Sequence, residues 1–237
     1  MPFKELYPRN PSWEIASSLP DYLPPERAKD ASARRPVGSL PLLPRVRILV
    51  HPEPIRVNYE VVRDLVPTLW DGSAPGQRKI DFAVHIGMAG PQAVYNLERL
   101  AHRDGYRLRD VDGNLLGDEE RRKREGEDWA WHGVPSELTT ELDIEEIYKT
   151  WVERSPKTEG TTLGISDDPG RYLCDFIYFS SLAHLWKQQR PRKLLFLHVP
   201  AGSSAEKVAL GRELMLQLIR SIAESEVGRR GEKKRSS

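Results

Sequence analysis

Short apolar segments typical of buried β-strands alternate along this chain with segments whose apolar residues recur at a helical period. Because the apolar faces of a sheet must be buried against other elements, this alternation predicts an α/β fold. We expect a three-layer sandwich, with helices on both faces of a mostly parallel, twisted sheet. The predicted strands are at residues 46–50, 80–86, 161–165 and 193–199, and the predicted helices at 11–19, 59–70, 143–154, from near Cys174, and after Ser203.

Local signals mark where several helices begin. Asn10 precedes Pro11 in the pattern of an N-cap followed by a proline in the first turn. Asp143 is followed three residues later by Glu146, and Ser203 in the same way by Glu206, which are capping-box spacings. Residues 87–101 have a period that fits either a helix or a strand, so their structure stays open at this point.

The length of 237 residues is enough for one domain with a single core. We predict that domain over residues 1–227. Residues 20–44 are rich in proline and charge and indicate a surface loop. Residues 103–136 form a mostly polar insertion, whose largest apolar anchors are Trp129 and Trp131.

The formal net charge of +1 gives no overall field that favours nucleic acid or an anionic membrane as a partner. Residues 228–237 are basic and without apolar residues, so we expect a disordered tail. RNA binding by that tail is an alternative. No apolar run approaches the roughly 20 residues of a membrane span, and the first ten residues lack a signal-peptide core, which favours the cytoplasm.

A single cysteine, Cys174, excludes an internal disulfide and a site with several cysteine ligands. A lone thiol fits a reducing compartment. The six histidines show no spacing typical of a zinc site, and we expect no cofactor.

Cys174 lies where a turn rich in Ser, Asp, Pro and Gly leads into an apolar helical segment. The positive end of a helix dipole favours the thiolate, which is the form a nucleophile needs. The alternative is a small apolar residue packed in the core.

Two further residues have the chemistry to assist a thiol. His198 follows the apolar run of the last predicted strand and could transfer the thiol proton; the alternative is a core histidine bonded to backbone. Glu98 could orient and stabilise the imidazolium, or could be a solvated carboxylate paired with Arg99.

Three motifs in the chain resemble those of the pyroglutamyl peptidase type I family of cysteine peptidases. Residues 166–176, SDDPGRYLCDF, resemble its cysteine signature, with Pro169 where alanine is usual. Residues 196–200, FLHVP, resemble its histidine motif, and residues 87–101 resemble its glutamate signature, with Glu98 at the catalytic position.

The resemblance implies a triad of Cys174, His198 and Glu98 acting on peptides with an N-terminal pyroglutamate. The Cys174 thiolate would attack the pyroglutamyl carbonyl, His198 would shuttle the proton, and an acyl-enzyme would then be hydrolysed. No metal or organic cofactor is implied.

Two features depart from the family pattern. His102 and Arg103 stand where many relatives have an asparagine. The family opens with a strand and a loop bearing two phenylalanines that sandwich the pyroglutamyl ring; here only Phe3 matches, as a substrate-binding residue. We therefore expect the first strand to be missing, with an inactive or incomplete isoform as the alternative function.

Overall fold

The computed structural model describes residues 10–25, 43–71, 80–90 and 92–235. Twelve helices and strands lie in these ranges, with a short 3₁₀ turn at Gly126–Asp128. In chain order they are α1 (Pro11–Ser17), α2 (Tyr59–Asp71), β1 (Ala83–Met88), β2 (Val94–Glu98), β3 (Leu100–His102), α3 (Asp118–Glu125), β4 (Glu137–Thr139), α4 (Ile144–Arg154), β5 (Thr162–Ser166), α5 (Leu173–Lys187), β6 (Leu194–Val199) and α6 (Ala205–Arg235).

The central sheet has four strands in the order β1-β6-β2-β5. β1 pairs with β6 in parallel, and β2 pairs with β5 in parallel. The central pair, β2 with β6, is antiparallel. The sheet is therefore mixed but mostly parallel.

Alternate residues of β6 show why helices cover both faces of this sheet. Leu194 and Phe196 belong to a core cluster with apolar residues of α2 and α5. Leu195 and Leu197 belong to a second cluster with residues of α1, α4 and α6. Because successive side chains of a strand point to opposite faces, one strand supplies both cores. This arrangement confirms the predicted three-layer α/β sandwich.

The segment between β3 and β4 packs beside α5. β3 begins only one residue after β2 and pairs with β4 in an antiparallel two-stranded sheet. Trp129 and Trp131 are 2% and 5% exposed, and both belong to the cluster with α2 and α5. They anchor the polar segment, as the sequence predicted.

The helix starts agree with the capping patterns at two of three sites. The Asn10 side chain accepts a hydrogen bond from the Ser12 N–H, and that of Asp143 from the Glu146 N–H. At α6, the Lys207 N–H donates to Ser204 Oγ at 3.4 Å, so the capping hydroxyl is Ser204 rather than Ser203.

The predicted strand at residues 46–50 is wrong. Among the described residues this segment makes one isolated bridge, between Arg47 and Tyr22. Leu49 is 59% exposed, so its side chain lies outside the core. An apolar segment becomes a strand only when a neighbouring strand supplies a ladder of hydrogen bonds, and the bridge to Tyr22 is too short to do so.

The expected disordered tail at residues 228–237 is corrected over residues 228–235, where α6 continues to Arg235. Arg229 donates to the Glu141 carbonyl and Arg230 to the Asp81 carboxylate, each at 2.9 Å. These contacts to other segments hold the helix where composition alone indicated disorder. Residues 236–237 lie outside the described ranges.

α6 has 31 residues, which is more than a bilayer span requires, but charged residues recur along it. None of the helices in the described ranges combines the length with the apolar character that crossing a membrane demands.

Candidate active site

The structure brings together the three residues predicted to form a triad. Cys174 is the second residue of α5, His198 is the next-to-last residue of β6, and Glu98 ends β2. In the antiparallel register, His198 lies opposite Asn96 and Glu98 lies opposite Phe196. Glu98 and His198 are therefore diagonal neighbours on one face of the sheet, within reach of long side chains.

Glu98 and His198 form a buried hydrogen bond. Oε1 of Glu98 lies 2.7 Å from Nδ1 of His198. The two residues are 1% and 7% exposed. Since Nδ1 is engaged by the carboxylate, Nε2 is the nitrogen left to exchange a proton with a thiol or a leaving group.

Opposing influences act on the pKa of His198. Burial lowers it, but contacts with the Cys174 thiol and the Glu98 carboxylate together outweigh burial and raise the pKa to about 10. The imidazole is therefore charged at neutral pH, between one side chain that can carry a negative charge as thiolate and another that carries it as carboxylate.

The start of α5 places Cys174 at the positive end of a helix dipole. Tyr172, the N-cap residue, is extended and makes no side-chain capping bond. The first hydrogen bond of the helix runs from the Phe176 N–H to the Tyr172 carbonyl at 2.9 Å. The N–H groups of the residues before Phe176 have no partner within the helix and can stabilise negative charge.

Gly87 of β1 faces the thiol. A Cβ atom at this position would lie 2.8 Å from Cys174 Sγ and 2.5 Å from Phe196 Cζ. Any side chain larger than hydrogen would displace one of them. The sequence marked Gly87 as the end of a strand and as part of the glutamate signature, but gave no sign of its contact with the thiol.

Sequence reasoning missed a second buried group beside the triad, centred on Asp175. Oδ1 of Asp175 accepts the His102 backbone N–H at 2.9 Å, and Oδ2 lies 3.1 Å from His102 Nδ1. Arg171 Nη1 lies 4.0 Å from the same Oδ2, and the Tyr106 hydroxyl, which donates to the His102 backbone carbonyl, lies close enough to affect the pKa of the carboxyl. An aspartate in the first turn of a helix is ordinarily an exposed favourable charge, so the sequence did not reveal its burial.

Burial dominates the electrostatics of this group. It raises the pKa of Asp175 to about 7, although the His102 N–H, Arg171 and Tyr106 act in the opposite direction. Burial, with the charge of Arg171, lowers the pKa of His102. Burial therefore disfavours the charged form of both Asp175 and His102.

The described residues contain no cluster of three or more His, Cys, Asp or Glu side chains that could hold a metal ion. Phe3, predicted to contact substrate, lies outside the described residues, as does the opening segment around it.

Comparisons with known proteins agree on one family. A family model described as pyroglutamyl peptidase matches residues 72–213. Pyroglutamyl-peptidase 1 of Homo sapiens is 30% identical over 172 residues, which cover 70% of this chain and 69% of that protein. Pyrrolidone-carboxylate peptidase of Pyrococcus furiosus is 31% identical over 123 residues, 52% of each chain.

Solved structures share the fold. A mutant pyrrolidone carboxyl peptidase from Pyrococcus furiosus matches with a TM-score of 0.60 and 20% identity, over 92% of both chains. The pyrrolidone carboxyl peptidase from Thermococcus litoralis matches with a TM-score of 0.60 and 16% identity, over 90% of this chain and 86% of that one.

Proposed function

The chain belongs to the pyroglutamyl peptidase family, and from that premise we propose that it removes the N-terminal pyroglutamyl residue from peptides as a cysteine peptidase. Cys174 is the nucleophile, His198 the general acid and base, and Glu98 the residue that orients and charges His198. One observation carries this assignment. The buried Glu98 carboxylate accepts a 2.7 Å hydrogen bond from Nδ1 of His198, and the same imidazole contacts Cys174.

The first half of the reaction uses the thiolate–imidazolium pair. The Cys174 sulfur attacks the pyroglutamyl carbonyl carbon, and the carbonyl π electrons move to oxygen to give a tetrahedral oxyanion. When the C–N bond breaks, the leaving amine takes the proton from Nε2 of His198. A pyroglutamyl thioester on Cys174 remains, and the shortened peptide departs.

The second half restores the enzyme. The now neutral His198 removes a proton from water, and the resulting hydroxide equivalent attacks the thioester carbonyl. Collapse of this second tetrahedral species expels the Cys174 thiolate and releases free pyroglutamate. His198 ends as the imidazolium, so the starting pair is regenerated.

The start of α5 supplies the electrostatic part of the mechanism. N–H groups that lack a partner within the helix are suited to the oxyanion, because they are fixed in place before charge develops. Gly87 presents no side chain to the Cys174 sulfur, where even a Cβ atom would lie only 2.8 Å away. Glu98 keeps the imidazole charged until the leaving amine needs its proton.

Every step uses groups of the chain, the peptide substrate and water, so the proposed mechanism assigns no role to a metal or organic cofactor. We place the reaction in the cytoplasm, where reducing conditions keep a lone thiol unoxidised. Peptides with an N-terminal pyroglutamate are the proposed partners, and neither nucleic acid nor a membrane is included.

The test is release of aminomethylcoumarin from pyroglutamyl-aminomethylcoumarin by the full chain, with prolyl-aminomethylcoumarin as the matched substrate that lacks the lactam carbonyl. We expect release from the pyroglutamyl substrate alone. Cys174→Ala and His198→Ala should each abolish it. Ser180→Ala, which removes a buried hydroxyl of α5 that bonds the Phe176 carbonyl, is the matched control and should stay active.

A folded wild-type chain that releases no aminomethylcoumarin would favour the inactive alternative. Retention of near-normal rates by His198→Ala would show that the triad assignment is wrong.

A further inference from the structure

Asp175 occupies an unusual place for a carboxyl group. It directly follows Cys174 in the first turn of α5, yet its side chain is 0% exposed. Removing a carboxyl from water is unfavourable unless hydrogen bonds replace those with the solvent. Its bonds run to His102, which is four residues beyond Glu98 in the segment that continues from β2 into β3.

A second bond joins the same two segments one turn further along α5. The hydroxyl of Tyr178 donates to the backbone carbonyl of Glu98 at 3.1 Å, and Tyr178 is 0% exposed. The helix that carries Cys174 is thus bonded at residues 175 and 178 to the strand segment at residues 102 and 98. One bond starts from the residue that follows Cys174, and the other ends on the backbone of Glu98 itself.

We propose that Asp175 and Tyr178 are positioning residues, which hold the strand end bearing Glu98 against the helix turn bearing Cys174. The proposal rests on the function proposed above, because it assigns these bonds the task of keeping His198 between its two partners. Neither side chain needs to touch the reacting atoms. Each acts through backbone groups, which fix the spacing of the triad's two outer members.

The group that the proposal requires at residue 175 is an acceptor for the His102 N–H, not a charge. The charged or titratable groups around the Asp175 carboxyl are His102 from β3, Tyr106 from the following segment, Tyr178 from α5 itself, and Arg171 and Asp168 from the turn before α5. Protonation of Oδ2 leaves Oδ1 free to accept the same N–H. The bond to His102 therefore survives across the pH range in which Asp175 titrates.

Two substitutions of Asp175 distinguish the loss of a hydrogen-bond acceptor from the loss of a charge. Asp175→Asn keeps an oxygen for the His102 N–H and adds a donor that can face His102 Nδ1 or Tyr106, so it should behave like wild type. Asp175→Ala removes every one of these bonds. Tyr178→Phe keeps the ring and loses only the bond to Glu98. Ser180→Ala again serves as the control, since its hydroxyl bonds within α5.

Two measurements on the full-length variants test the proposal. The first is the rate of Cys174 alkylation by iodoacetamide against pH, which needs no substrate. The second is kcat and KM with pyroglutamyl-aminomethylcoumarin. For Asp175→Ala we expect kcat to fall by about 10-fold to 10²-fold with KM changed by less than about threefold, because misplacement mainly affects the transition state.

We also expect Asp175→Ala to slow the alkylation of Cys174 at neutral pH, because His198 would no longer be held against the thiol. Tyr178→Phe should shift both readouts in the same direction by a smaller factor. For Asp175→Asn, kcat and the alkylation rate should both stay within about threefold of wild type. This variant loses the charge but keeps the acceptor, so such values would show that the acceptor is what the site requires.

The proposal is overturned if folded Asp175→Ala matches Ser180→Ala in both measurements, or if Asp175→Asn loses as much as Asp175→Ala. Should Asp175→Ala not fold, Tyr178→Phe decides, and wild-type values for it overturn the proposal. Shifted alkylation profiles in a chain that cleaves nothing would support the positioning role while rejecting the peptidase function. Cleavage at the wild-type rate by Asp175→Ala and Tyr178→Phe would support the peptidase function while rejecting the positioning role.

Discussion

Glu98 Oε1 and His198 Nδ1 lie 2.7 Å apart, although the two residues are 100 positions apart in sequence. The antiparallel pairing of β2 with β6 makes this contact, and it sets a carboxylate beside an imidazole where both are buried. Burying charged groups lowers the stability of the folded state unless each charge lies beside an opposite one. The charge on Glu98 is therefore central to the chemistry proposed for Cys174 and His198.

Replacing Glu98 with glutamine keeps the shape of the side chain and removes its charge. Without the carboxylate, the pKa of His198 should fall, because one of the two groups that raise it is gone. We expect kcat to fall by about 10²-fold to 10⁴-fold, and Cys174 to be alkylated more slowly at neutral pH. Steady-state kinetics and alkylation against pH measure the two effects. Unchanged values of both would remove Glu98 from the mechanism.

Gly87→Ala should damage both stability and activity. The added Cβ would lie 2.5 Å from Phe196 Cζ and 2.8 Å from Cys174 Sγ, so the core must shift to accept it. We expect a loss of about 1–3 kcal/mol in the free energy of unfolding, measured with urea, together with a large loss of kcat. Gly90→Ala is the matched control, because a Cβ there meets nothing within 4 Å. Equal stability of the two variants would contradict the close packing at the thiol.

The pKa of Asp175, about 7 in the folded chain, predicts a specific pH dependence of stability. Its unfolded value is about 3.9, so between these values the folded state holds the proton more tightly. Wild type should therefore lose stability relative to Asp175→Asn as pH rises from about 4 to about 7, by at most about 4 kcal/mol, and the difference should then level off. Urea unfolding of both proteins across this range measures it. A constant difference between them would show that Asp175 ionises normally.

Local signals in the sequence were sufficient for much of the fold. The capping side chains of Asn10 and Asp143 bond the N–H groups that their spacing indicated. The apolar run that became β6 is buried at every residue. These features depend on neighbours along the chain, which a sequence displays directly.

What the sequence could not supply is pairing between distant segments. Residues 46–50 have a strand-like composition, but Arg47 makes only a single bridge, with Tyr22. The antiparallel β2–β6 pair, which fixes Glu98 beside His198, follows from no local pattern. The burial of Asp175 is likewise a long-range effect, because His102 and Tyr106 come from another segment. Family motifs indicated the triad residues before any of this geometry was visible.

The most direct test of the central claim is the alkylation of Cys174 followed together with activity. Cys174 is the only cysteine of the chain, so mass spectrometry assigns every alkylated thiol to it. In the thiolate–imidazolium pair, iodoacetamide should label it at neutral pH faster than a model thiol of pKa about 8.5, and activity should vanish in step with labelling. His198→Ala should label more slowly. Slow labelling of the folded wild-type chain, or activity that survives complete labelling, would contradict the account.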